Sequence, residues 1–134
     1  MNELEYIRGR IVKFRDIIMN TKTTAFMMVM TPERMTIVDT EKALEMFDSL
    51  GLKLTGIVLN QVYPPDLAKR PDAPAYIKRR VEEQRKYVAE IVDKFGKYLV
   101  AVIPMLNREP KGLEVLRGVA EELWKPSRRV EEYL

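Results

Sequence analysis

Thr24-Ala-Phe-Met-Met-Val-Met30 contains six consecutive apolar residues, from Ala25 to Met30, and so has no polar face. The run falls far short of the ~18 residues a membrane span needs. It has the length and the unbroken apolarity of a strand covered on both sides, as strands of parallel sheets are. Thr31-Pro32-Glu33 ends it. Lys53-Leu-Thr-Gly-Ile-Val-Leu-Asn60 and Tyr98-Leu-Val-Ala-Val-Ile103 read as two more strands, the last stopped by Pro104.

Helical periods fill the intervals. Leu4, Ile7, Ile11, Phe14 and Ile18 recur at spacings of three and four, the stripe of a packed amphipathic helix. Thr36-Ile-Val-Asp39 has the spacing of an N-cap with an acid three residues on. The helix that follows presents Val38, Ala43, Leu44, Met46, Phe47 and Leu50, and Gly51 closes it as a C-cap. Residues 63–75 hold four prolines and read as a loop that continues neither helix nor sheet. Ile77, Val81, Gln84, Val88, Ile91 and Phe95 mark a long helix ended by Gly96. Leu113, Leu116, Ala120 and Leu123 mark another, stopped near Pro126, and 127–134 form a short polar tail.

Strands separated by helices run parallel with right-handed crossovers. The expected fold is therefore α/β: a three-stranded parallel sheet, strands in sequence order, helices on both faces. One domain of 134 residues is expected, with 1–20 an N-terminal helix, 21–124 the α/β core and 125–134 the tail.

Composition narrows the chemistry. The chain has no Cys and no His, which excludes disulfides, thiolate catalysis and the commonest general base and metal ligand. The net charge of +3 is matched by residues 66–86, with seven basic and four acidic side chains. Glu82 and Glu83 interrupt that patch, and Tyr76 is the stacking group within it, so a solvated helix face is expected rather than a nucleic-acid surface. Met1-Asn2-Glu3-Leu4-Glu5 has no secretory character, and a cytoplasmic location is expected.

Open parallel sheets bind ligands beyond the carboxyl ends of their strands. Those ends are Thr31-Pro32-Glu33, Asn60-Gln61 and Pro104-Met105-Leu106. The carboxamide of Asn60 offers a donor and an acceptor side by side, the pattern that meets N7 and the exocyclic amine of adenine; Asn is also common as a turn residue after a strand. Glu109-Pro-Lys111-Gly112 leads into a helix start and reads either as an anion site or as a start with Pro near its first position. The glycines, at 9, 51, 56, 96, 112 and 118, build no G-x-x-x-x-G-K-[ST] phosphate loop.

Four segments in order resemble the anion-transporting ATPase family, which includes arsenite-pump ATPases and the eukaryotic ATPases that target tail-anchored membrane proteins. They are the strand-Pro-Glu-helix segment from Thr24 to Lys42, Asn60-Gln61 with Pro64, Gln84-Arg-Lys-Tyr87, and Ile103-Pro-Met-Leu-Asn-Arg-Glu-Pro-Lys-Gly112. The resemblance implies a P-loop NTPase-like fold of which this chain is the C-terminal part. It also implies adenine recognition at Asn60, with Gln61, Pro104, Met105, Leu106 and Glu109 around the base and ribose. ATP or ADP is then the ligand, held weakly, with magnesium only where an N-terminal half supplies the P-loop and switches. Hydrolysis by this chain alone is not expected. In the tail-anchor branch two cysteines tie a dimer through zinc; Pro74 and Ile77 occupy those positions here.

The resemblance leaves the client or transporter open, and a homodimer or a complementing N-terminal ATPase half is the expected partner. The alternative is a partner-binding scaffold without a nucleotide role, since the edge of the first strand, from Phe26 to Met30, is apolar and prone to pairing.

Overall fold

A computed structural model describes residues 2–125 and 127–134. The elements are α1 (Glu3–Met19), β1 (Phe26–Met30), α2 (Arg34–Ser49), β2 (Leu54–Val62), α3 (Asp66–Lys69), α4 (Ala75–Phe95), β3 (Leu99–Pro104) and α5 (Leu113–Trp124), followed by a 3₁₀ segment, Ser127–Tyr133. The strands form one parallel sheet in the order β1-β2-β3, with helices on both faces, as their apolar runs require.

One face carries the main core. Met30, Ile57, Leu59, Leu99 and Val102 from the strands meet Ile37 of α2 and Val88, Ile91 and Phe95 of α4. The long helix packs as its spacing predicts, burying Val81, Gln84, Val88, Ile91 and Phe95. On the other face α5 covers the β3 side, where Val119 packs against Val58, Ala101 and Ile103. Toward β1 that face is bare: Met27 and Val29 are 49% and 64% exposed. Gly56 lies under Met27 and Val100, and a Cβ there would meet Val100 Cγ1 at 2.7 Å.

Several elements differ from the sequence expectations. The stripe of α1 is not packed; Leu4, Ile11 and Phe14 are 72%, 62% and 64% exposed, and no residue of the helix is buried. An Asn2–Glu5 capping box starts α1, and its last turn meets the body, where Thr24 Oγ1 donates to Ile17 O at 2.8 Å. Periodicity identified the helix, but it does not guarantee a neighbour for the stripe. Similarly, the stripe expected to anchor α5 lies largely outside, with Leu113 and Leu116 exposed while Val119 meets the sheet. The apolar residues of α5 form one broad face, and the sheet meets it at Val119 rather than along the Leu113–Leu116–Leu123 line.

Thr36 is not the N-cap of α2. Glu33 occupies that position without a side-chain bond, and the Thr36 hydroxyl donates back to Thr31 O at 2.5 Å and Glu33 O at 3.0 Å. The other end follows expectation: Gly51, at φ 68°, allows the N–H groups of Gly51 and Leu52 to bond Asp48 O and Phe47 O. The proline-rich segment contains the single turn α3, begun at Pro65 and ended by extended Arg70 before Pro71. The tail is less polar in its role than its composition suggests. In a 3₁₀ segment residues three apart share a side, which places Val130 and Tyr133 together in the main core. Pro126, expected to stop α5, lies outside the described residues.

A charged chain ties α2 to α4: Arg34 to Glu90 at 3.0 Å, Glu90 to Lys94 at 3.0 Å, and Lys94 to Glu41 at 2.5 Å. The hydrogen bond from Lys94, helped by its charge and that of Arg34, holds the Glu90 carboxyl below its ordinary pKa. The bonds to Glu41 and then Glu90 hold Lys94 above its own.

Candidate functional site

The carboxyl rim of the sheet is shaped by an irregularity at the end of β2. Leu59 pairs with Val102 and Val62 with Pro104, so β2 spends three steps where β3 spends two. Gln61 takes up the difference at φ 58°, the one non-glycine residue with positive φ among those described. A left-handed residue of this kind bends the strand and re-aims its neighbours. Asn60 Oδ1 accepts from the Gln61 N–H at 2.9 Å, which holds the carboxamide beside the bend. Met105 N donates to Val62 O at 2.8 Å, bringing the turn after β3 alongside.

Asn60, Gln61, Pro104, Met105, Leu106 and Glu109 all line one cleft of about 420 Å³. That is within the usual range for small-molecule sites, which are mostly apolar with a few placed polar groups. Leu116 and Val119 of α5 and the exposed Arg108 line it as well. Glu109 pairs with Lys111 at 2.9 Å, so the Glu109–Gly112 segment carries its own internal ion pair. Gly112, at φ 84°, leads into α5 without any side-chain cap.

A second, smaller hollow of about 140 Å³ adjoins the first through Gln61 and Met105 and is lined by Glu33, Tyr63, Arg80 and Glu83. Glu33 lines this hollow, and Asp39 does not.

Two features of the rim lay beyond the sequence reading. Arg108 was inside the Ile103–Gly112 stretch but at a position the motif leaves open. Gln84, read as one member of a helical stripe, is 4% exposed and grips the backbone of Tyr63: Oε1 accepts from Tyr63 N at 2.7 Å and Nε2 donates to Tyr63 O at 3.0 Å. A buried amide at a core position of an apolar stripe was the available signal, because such a group must find partners.

An open parallel sheet flanked by helices, with its cleft at the carboxyl rim, is an α/β fold that binds ligands at its strand ends, and it is consistent with a fragment of a P-loop NTPase-like fold. The chain belongs to the anion-transporting ATPase family, whose profile matches residues 1–125. It is 26% identical over 121 residues to a putative arsenical pump-driving ATPase 1 of Aquifex aeolicus, covering 90% of this chain and 30% of that protein. It is 29% identical to the ATPase get3 of Neurospora crassa (94% and 36% covered) and 25% identical to an ATPase ASNA1 homolog of Paramecium tetraurelia (93% and 37%). The chain thus spans about a third of the length of these relatives. Among the described residues no helix is long and apolar enough to cross a membrane.

Proposed function

We propose that this chain is the base-holding portion of an anion-transporting-type ATPase, binding the adenine of ATP or ADP in the cleft between Asn60 and Pro104. The observation that carries the reading is the convergence of all six expected residues on one cleft at the strand ends. The Asn60 amide supplies the paired donor and acceptor, and Pro104 and Leu106 supply apolar surface for the ring. Binding is weak, because base contacts contribute ~1–3 kcal/mol while a millimolar site needs about 4 kcal/mol. With no glycine loop in residues 1–134 to cradle the triphosphate, hydrolysis and its magnesium depend on residues supplied from elsewhere.

NMR titration with ATP tests the reading. Shifts confined to the amides near Asn60, Gln61, Met105 and Leu106, at millimolar ligand, are expected. Tight binding with turnover by the chain alone would defeat it, as would shifts elsewhere only.

A second reading, a partner-binding scaffold, is favoured by the bare side of the sheet at Met27 and Val29 and the uncovered stripe of α1. It predicts self-association or capture of a complementing ATPase half. A stable monomer by light scattering, with no such capture, counts against it.

A further inference from the structure

We infer that Arg108 makes this cleft prefer anionic adenine nucleotides to the neutral nucleoside, by hydrogen-bonding the phosphate nearest the ribose. The inference rests on the adenine reading of the same cleft and adds a residue and a selectivity to it. The lining holds two charged side chains, Arg108 and Glu109. Glu109 is answered by Lys111, with Oε2 and Nζ 2.9 Å apart. Among the described residues no carboxylate pairs with Arg108, so the cleft carries one uncompensated positive charge.

That charge and the Asn60 carboxamide line the same cleft of about 420 Å³, together with the apolar Pro104, Leu106 and Val119. A nucleotide that fills this cleft with its base at Asn60 shares the cleft with the Arg108 guanidinium. A guanidinium meets phosphate oxygens through two parallel N–H donors, geometry that neither a ribose hydroxyl nor the N6/N7 edge of adenine matches. The surrounding apolar side chains sharpen the field of an otherwise exposed cation. Arg108 is itself exposed, and an exposed ion pair is a modest one. The selectivity expected is therefore a few-fold.

Titrations of the whole chain at low salt with adenosine, AMP and inorganic phosphate, followed by amide shifts, test this. AMP is expected to bind about three- to five-fold more tightly than adenosine, with the gap erased by Arg108→Ala, partly kept by Arg108→Lys, and narrowed at about 0.5 M salt. Unchanged shifts for amides remote from the cleft verify that the variants are folded. Equal binding of AMP and adenosine to the native chain, or a gap that survives Arg108→Ala, overturns the inference and leaves the base site standing. Equal weakening of both ligands by Arg108→Ala also overturns it, since the guanidinium would then be stacking on the base. If neither adenosine nor AMP shifts Asn60 and Met105, the base-site reading falls and the inference with it.

Discussion

Gln84→Leu removes the two hydrogen bonds that hold Tyr63 while keeping the volume of the buried side chain close to native. Both bonds are short, 2.7 and 3.0 Å, and the amide that makes them is almost fully enclosed. Loss of the partner leaves the N–H and C=O of Tyr63 facing an apolar group. A buried polar group without a partner costs about 1–3 kcal/mol. Tyr63 is half-buried, so water recovers part of that, and leucine gains some transfer energy over glutamine. The net cost expected is about 1–3 kcal/mol, read from urea unfolding with an unchanged m-value. The Tyr63 amide should also lose hydrogen-exchange protection more than the core amides of β2. Gln84→Glu supplies a second handle. One carboxylate oxygen still accepts from Tyr63 N, but the other faces Tyr63 O and repels it when ionised. The folded state therefore raises the glutamate pKa, and stability must fall as pH rises past about 4.3. A Gln84→Leu variant within about 0.5 kcal/mol of native, with Tyr63 still protected, would refute the idea that this amide holds the rim.

Gly56→Ala places a Cβ 2.7 Å from Val100 Cγ1 and 3.0 Å from Met27 Cε; overpacking of this kind costs about 1–3 kcal/mol, and adding Val100→Ala should restore part of it in a double-mutant cycle. Tyr133→Ala empties a core position 4% exposed and should cost about 3–5 kcal/mol by analogy with other buried aromatic truncations; a loss under ~1 kcal/mol in urea unfolding would show that the 3₁₀ segment is not part of the core. Glu90 has a depressed folded-state pKa, so its contribution is present above the unfolded value and is lost as pH falls through the folded one. Thermal melts between about pH 6 and 3 should therefore show a shallower acid limb for Glu90→Gln than for the native chain. Lys94, raised above 10.5, gives the opposite limb: its contribution is present below the unfolded value and fades as pH climbs through the folded one, which Lys94→Met should flatten.

The sheet was legible because its strands are runs with no polar face, and Thr24–Met30 admits few other readings. Helix existence was legible from spacing, as the buried positions of α4 show. What spacing does not carry is the identity of the neighbour. The stripe of α1 predicts a partner surface, and none of the described elements supplies it. On α5 the broad apolar face did not say which of its edges would meet β3, and Val119 does so while Leu113, Leu116 and Leu123 stay exposed. At the site, the convergence of Asn60 with the Pro104 turn followed from parallel topology, since all strand ends share one rim. The bend at Gln61 did not: glutamine gives no warning of a positive φ, and the register mismatch that requires it arises from pairing with β3. Arg108 was hidden for a different reason, since a lining residue on a loop is chosen by loop geometry rather than by any period.

The grip of Gln84 on Tyr63 explains physically why an amide on α4 belongs with an amide pair at the end of β2. The bend at Gln61 breaks the ladder just where Asn60 must be presented, and a strand end with an unsatisfied step is free to fray. Two residues further on, Tyr63 leaves the sheet with its N–H and C=O in need of partners, and β3 reaches no further than Val62. Gln84 is the group that supplies both at once, from a helix already fixed by Val81, Val88 and Ile91 in the core. The side chain thus transfers the rigidity of the main core to the rim of the cleft. On this account the two motifs form one device, with α4 holding the strand end that carries Asn60 at the cleft.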